Sequence, residues 1–351
     1  MRRVGGAPVA SAAMPSHTPS LVRRTREVRE ATEEQLSPLA TRSSASTGRT
    51  RDEEPDVDRT CFEVDRDRIL HSKAFRRLKH KTQVFMMPDG DHYVTRLTHA
   101  LQVTQVARAL AAGLGLNEPL AEAIALGHDV GHSPFGHTGE EALSPYFAGG
   151  WHHAVQSVRI YDVLDPANLT WEVRDGIRAH TWRIEPPPTT PEAHCVRFAD
   201  RIAYLSHDAL DAVRAGVLKP DEFPPSALEA FGPPGARWIG EMIHAVLEYS
   251  PECGYVAMRP DCFGIMGELR AFMFERVYTA ARHQDEHDAA VTVIRRLVDY
   301  HLEHPERVPS TYRDTGVDVV TQVADYVAGM TDRFALTRYE QLFDDRPAAL
   351  S

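Results

Sequence analysis

After Asp65, apolar residues recur at steps of three and four over most of the chain, and no stretch alternates apolar and polar positions between turn residues. That pattern predicts an all-α body. Val103, Val106, Ala107, Leu110 and Leu114 form one helical face, ending at Gly113 and Gly115, residues suited to a helix C-terminus. Asn117 predicts the start of the next helix, with Leu120, Ala123 and Ile124 inward and Gly127-His128-Asp129 at its end. A third helix is expected between Val196 and Gly216. One face carries Phe198, Ile202, Leu205, Ala209 and Val213; a second carries Asp200, Tyr204, Asp208 and Asp211. The proline runs Pro186–Pro188 and Pro224–Pro234 read as loops. Phe272, Phe274, Val277, Tyr278 and the stretch Val291–Leu302 predict further packed helices without a chemical signature of their own. Residues 1 to 58 lack a sustained apolar period and read as a mostly mobile arm, with one short helix near Thr25–Gln35. The arm's Arg23, Arg24 and Arg26 are candidates for touching a neighbouring subunit or an anion.

Composition narrows the classes. With 351 residues, 42% of them hydrophobic, the chain can fill a sizeable core. Cys61, Cys195, Cys253 and Cys262 form no C-x-x-C pair, which fits a reduced, intracellular setting. No apolar run approaches the roughly 20 residues of a membrane span, and a cytoplasmic location without membrane contact is expected. A formal net charge of −11 argues against nucleic acid as the main partner, because such affinity is largely phosphate neutralisation.

Chemistry concentrates in His99, the pair His128-Asp129, and Asp200. Imidazoles and carboxylates drawn from three helices suit a divalent ion in a bundle core. Around the pair runs GHDVGHSPFGHTGE, where Gly127, Gly131, Gly136 and Gly139 permit close backbone approach. His137 and Glu140 lie three apart, the spacing of a carboxylate-oriented imidazole that can move a proton. His132 is the alternative, and His153 is a candidate contact for a charged leaving group. Upstream, Arg76, Arg77, Lys79, His80 and Lys81 cluster, and Arg96 precedes His99 by one turn. Positive charge beside a metal pattern favours a polyphosphate ligand.

The runs DRDRILHSKAFRRLKHKTQVF, RLTHALQV, ALGHDVGHSPFGHTGE, EVRDGIRAH, RFADRIAYLSHDALDAVRAG and LRAFMFERVY resemble the dGTPase-like deoxynucleoside triphosphate triphosphohydrolases of the HD superfamily. The resemblance extends from about Leu36 to beyond Tyr278. It implies an all-helical HD bundle with additional C-terminal helices over residues 59–345, and one divalent ion, Mn²⁺ or Mg²⁺ first and Fe²⁺ next, on His99, His128, Asp129 and Asp200. It matches His137 and Glu140 to a catalytic pair and His153 to a histidine near the scissile phosphate. Arg96, Arg201 and Asp208 match phosphate and sugar positions; Gln83 and Tyr204 match residues near the deoxyribose. It also implies a homo-oligomer, commonly a hexamer, and nucleotide effectors between subunits. Family members usually carry Arg at Val94, Glu at Gln102 and Asn at Ala154, so effector response and nucleotide preference are expected to differ.

The expected reaction is hydrolysis of a deoxynucleoside triphosphate to nucleoside and tripolyphosphate. Arg96 and the ion neutralise the α-phosphate, and His137, oriented by Glu140, protonates the departing oxygen. The rivals are an HD-type nucleotidase or phosphodiesterase and a catalytically silent nucleotide sensor.

Overall fold

The computed structural model describes residues 21–83, 94–278, 284–345 and 347–350; the first 20 residues of the expected arm lie outside them. Among the described residues no strand forms, and only two isolated bridges occur, Arg49–Thr170 and Thr82–Thr95. The chain is all-α.

A short helix α1 (Arg26–Thr32) precedes α2 (Cys61–His71) and α3 (Lys73–Arg77). Helix α2 opens on a capping box in which Thr60 accepts from the Glu63 N–H and Glu63 returns a bond to the Thr60 N–H. Helix α4 (Arg96–Gly113) is capped by Thr95, and α5 (Glu118–Gly127) by Asn117, whose side chain accepts from Leu120 N–H. Then follow α6 (His137–Leu143), α7 (His153–Arg159) and α8 (Trp171–Ala179). Helix α9 (Pro191–Arg214) starts earlier than its apolar stripe predicts, because Thr190 caps it and Pro191 occupies its first position. Three further helices follow: α10 (Pro225–Phe231), α11 (Ala236–Cys253) and α12 (Pro260–Met273). The expected Pro224–Pro234 loop is thus corrected: Pro225 starts a helix, which Gly232, at φ 78°, ends. Helices α13 (Gln284–Glu303), α14 (Ser310–Arg313), α15 (Val319–Ala328) and α16 (Asp332–Phe343) complete the order.

Two hydrophobic cores result. Helices α2, α4, α5, α8 and α9 bury residues such as Phe62, Leu110, Ile124, Ile177 and Ile202 in the first, which continues into α11 and α12 through Trp238 and Met266. Leu143 of α6, Val293 and Leu297 of α13, Val327 of α15 and Leu336 of α16 build the second. Asp325 of α15 binds Gln156 and Arg159 of α7 at 2.6–3.0 Å and ties the two together. No helix among the described residues is long and apolar enough to cross a membrane.

Residues 33–58 correct the expectation of a mobile arm, for a reason an apolar period cannot reveal. The buried Glu33 carboxylate accepts from the Ser43 N–H and hydroxyl, both at 2.6 Å, and from Asn117 Nδ2 at 3.1 Å. Glu192 accepts from Thr41 and from the Asn117 N–H, while Arg49 pairs with the fully buried Asp65. Polar docking holds this segment. Arg23 and Arg26 are paired with Asp58 and Glu30, not collected into a cationic patch. Glu33→Ala leaves buried donors unpaired and is expected to cost about 1–3 kcal/mol; urea unfolding checks this, and an unchanged midpoint contradicts it.

Candidate active site

Helices α4, α5 and α9 converge on His99, His128, Asp129 and Asp200. His99 Nε2 lies 3.1 Å from Asp200 Oδ1, and His128 Nε2 lies 3.8 Å from that oxygen and 3.6 Å from Asp129 Oδ1. The Ala125 carbonyl oxygen, 2.6 Å from His128 Nδ1, fixes the proton there and leaves the Nε2 lone pair facing the carboxylates. That Nε2 is buried and has no hydrogen-bond partner in the protein. Ligands bound to one ion at about 2.0–2.2 Å stand roughly 3–3.5 Å apart, close to the spacings found. The donor set therefore fits a divalent ion, and His99, His128 and Asp200 form a group able to hold one. Burial opposes the charge on both carboxylates, yet neighbouring charges outweigh it. His99 and His128 hold Asp200 at about 2, while His132, His128 and Arg96 hold Asp129 well below the ordinary carboxylate range.

Arg96, at the start of α4 and almost fully buried, donates from Nη1 to Asp129 Oδ2 at 2.7 Å. Its Nε and Nη2 find no partner. A side chain at Gly136, which has φ 59°, would strike Nη2, so only glycine gives the guanidinium its place. Gly131 plays the same part against the α7 backbone, where a Cβ would collide with His153 O and Ser157 N.

Beside this group stand His132, His137, Glu140 and His153. Glu140 does not take His137 as its hydrogen-bond partner, as its i to i+3 spacing suggested. Its Oε2 accepts from His153 Nδ1 at 2.7 Å, and its Oε1 pairs with His152 Nδ1 at 3.0 Å, because the start of α7 lies across from it. His153 holds Glu140 at about 2 despite burial. The His153 ring stacks on His132 at 3.8 Å, and its Nε2 lies 3.3 Å from His180 Nε2. His180 Nδ1 in turn donates to the Ile177 carbonyl oxygen. His137 faces the cavity, its ring 5.1 Å from His132 and 5.8 Å from His153. Crowding by its neighbours, then the charges of His153 and Arg96, lower its pKa from the ordinary imidazole value, although the ring stays exposed on the cavity side.

His99, Asp129, Asp200, Arg96 and the His132–His137–Glu140–His153 group open onto a cavity of about 640 Å³, within the usual size range of small-molecule sites. Gln83, Arg201, Tyr204 and Asp208, each expected at the site, line it. Gln83 Oε1 and Arg201 Nε are buried without partners. Asp208 is pushed up to about 7 by burial and accepts from Tyr278 Oη at 2.7 Å. Asp211, on the same stripe, turns elsewhere and accepts from Val94 N–H and Arg214. The upstream basic cluster also divides: Arg77 and Lys81 donate to the backbone of α15 and its end.

Sequence reasoning missed His180, Trp182, Arg270 and Tyr278, all on the cavity wall. His180 lay inside the run EVRDGIRAH, and Arg270 and Tyr278 inside LRAFMFERVY, so the signal was present without a role attached. The expectation that the C-terminal third carries no chemistry is corrected by those last two. Trp182 packs under the guanidinium groups of Arg197 and Arg201, at 4.8 and 4.4 Å from its ring centre.

Comparisons with known proteins agree with this architecture. Residues 96–205 match the HD domain family and residues 256–341 the phosphohydrolase-associated domain family. A "Deoxyguanosinetriphosphate triphosphohydrolase-like protein" of Caldanaerobacter subterraneus subsp. tengcongensis is 45% identical over 92% of this chain and 97% of its own length. Proteins of the same description from Clostridium perfringens strain 13 (41% identity; 88% of this chain, 94% of the relative) and Desulfatibacillum aliphaticivorans (42%; 89% and 95%) are similarly close. Among solved structures, a hypothetical protein from Aquifex aeolicus aligns at a TM-score of 0.46 and 19% identity, covering 80% of this chain and 71% of that one. With identities above 40% along nearly the whole chain, and an HD domain spanning the histidine and aspartate cluster, this chain belongs to the HD-domain family of deoxyguanosinetriphosphate triphosphohydrolase-like proteins.

Proposed function

We propose that this chain hydrolyses deoxynucleoside triphosphates to a nucleoside and tripolyphosphate. The observation that carries the reading is the convergence on one cavity of buried polar atoms without protein partners, Arg96 Nε and Nη2, Arg201 Nε and Gln83 Oε1, beside the equally unpartnered His128 Nε2. Native interiors leave few such atoms unpaired, and this set asks for an anion, a polar sugar and a cation together. The description carried by its relatives supports the same substrate class.

His99, His128, Asp129 and Asp200 would hold the ion, with Mn²⁺ or Mg²⁺ the leading candidates and Fe²⁺ next. When bound, such an ion supplies Lewis acidity and lowers the pKa of a water molecule. Arg96, anchored on Asp129, turns its free guanidinium edge to the α-phosphate. His153, fixed by Glu140, stands beside the α-phosphate from which the nucleoside oxygen departs. His137 protonates the nucleoside oxygen as it leaves; the negative charge of a bound triphosphate raises a pKa that the cationic surroundings otherwise lower. Tyr204 and Gln83 enclose the sugar. A cytoplasmic homo-oligomer responsive to a nucleotide effector completes the proposal.

Incubation with each dNTP and rNTP, singly and mixed, across several divalent metals tests it. We expect dNTP turnover to exceed rNTP turnover by roughly 10- to 100-fold, because a 2′-hydroxyl packed against Tyr204 would be buried without a partner. Tyr204→Ala is expected to narrow that ratio in kcat/KM. A wild-type ratio near one rejects the deoxy-specific reading, and an unchanged ratio in the variant rejects Tyr204 as its cause.

A further inference from the structure

The second core reaches the cavity through one carboxylate. Asp332, the first residue of α16, is buried, with 3% of its surface exposed. Its Oδ2 accepts from the Thr82 N–H at 2.8 Å and its Oδ1 from the Phe135 N–H at 3.1 Å. These two amides belong to two non-helical segments that lead into site residues. Thr82 precedes Gln83. Phe135 follows His132 and leads through Gly136 into His137.

The second segment needs an external clamp. Phe135 has φ 61°, a left-handed conformation that costs a residue with a Cβ about 1–2 kcal/mol and persists only where its surroundings enforce it. Lys81, also buried, donates from Nζ to the His132 carbonyl oxygen and to the Ala328 carbonyl oxygen at the end of α15. Arg77 donates to the Gly329 carbonyl oxygen at 2.8 Å. Helix α6, which starts at His137, buries Ala142 and Leu143 in the second core. Asp332 and the carbonyl groups at the end of α15 thus hold Thr82, Lys81 and Arg77, and Lys81 in turn holds the His132 carbonyl oxygen.

We infer that Asp332 is a positioning residue: it sets the spacing of the Gln83 and His132–His137 segments, and so couples the C-terminal helices to turnover. The effect on rate rests on the hydrolase reading above; the effect on loop order does not. Asp332→Asn keeps size and one acceptor oxygen but sets an amide N–H against a backbone N–H. Leu297→Ala, fully buried in the second core and without a hydrogen bond to either loop, serves as the control for lost stability. Both full-length proteins are compared with wild type by hydrogen exchange, metal content and steady-state kinetics, well below their melting temperatures.

For Asp332→Asn we expect exchange at least ten-fold faster over residues 80–83 and 132–137, metal content as in wild type, and kcat at least ten-fold lower. Leu297→Ala, at a similar loss of melting temperature, is expected to keep loop exchange and kcat within about three-fold. Wild-type exchange in the Asp332→Asn loops overturns the inference, as does equal loop opening in Leu297→Ala. Absence of dNTP turnover in wild type would reject the hydrolase reading, and exchange would still decide the role of Asp332.

Discussion

Asp200→Ala is expected to lose bound metal and turnover together, with activity falling about 10³-fold or more. The carboxylate stands 3.1 Å from His99 Nε2 and 3.8 Å from His128 Nε2, so its removal leaves two imidazole lone pairs with Asp129 as the one acidic ligand. Asp129 cannot compensate, because its Oδ2 is engaged by Arg96. Lewis acidity contributes several kcal/mol to such reactions, and each 1.36 kcal/mol is about ten-fold in rate. Elemental analysis after desalting, paired with the dNTP assay, checks this. Full metal occupancy in the variant would remove Asp200 from the ligand set.

His137→Ala is expected to keep the metal and lose roughly 10²-fold in kcat, the usual scale of general acid–base participation. His137 makes none of the close approaches that define the ion site, and its ring faces the cavity, so the loss should fall on chemistry while substrate binding changes little. Glu140→Gln provides the contrast. Glu140 holds His152 and His153, so its replacement should weaken the hold on the triphosphate and raise KM as well as lower kcat. A His137→Ala rate within about three-fold of wild type would pass the proton to the Glu140–His153 pair.

What could be read from the sequence follows the kind of force that builds each part. Helices α4, α5 and α9 were legible because their apolar stripes bury long, periodic faces, and Asn117 announces its own cap. The grouping of His99, His128, Asp129 and Asp200 was legible because each sits on or at the end of one of those helices. Glu33, Thr41 and Arg49 were not legible, since they dock through polar contacts to partners 10 or more residues away, which leave no period behind. Helix α10 was hidden by prolines that break a helix inside it but start one at its first turn. The Glu140 partner was misassigned because spacing along α6 says nothing of α7 lying across from it. Arg270 and Tyr278 enter the cavity from a helix whose chemistry exists only once it packs beside α9.

In the proposed reaction water attacks the α-phosphorus and the bond to the nucleoside oxygen breaks. Turnover of dGTP in H₂¹⁸O, with products separated and weighed by mass spectrometry, tests it most directly. Deoxyguanosine without label and tripolyphosphate carrying one ¹⁸O are expected. Label in the nucleoside, or release of dGMP with pyrophosphate, would contradict it.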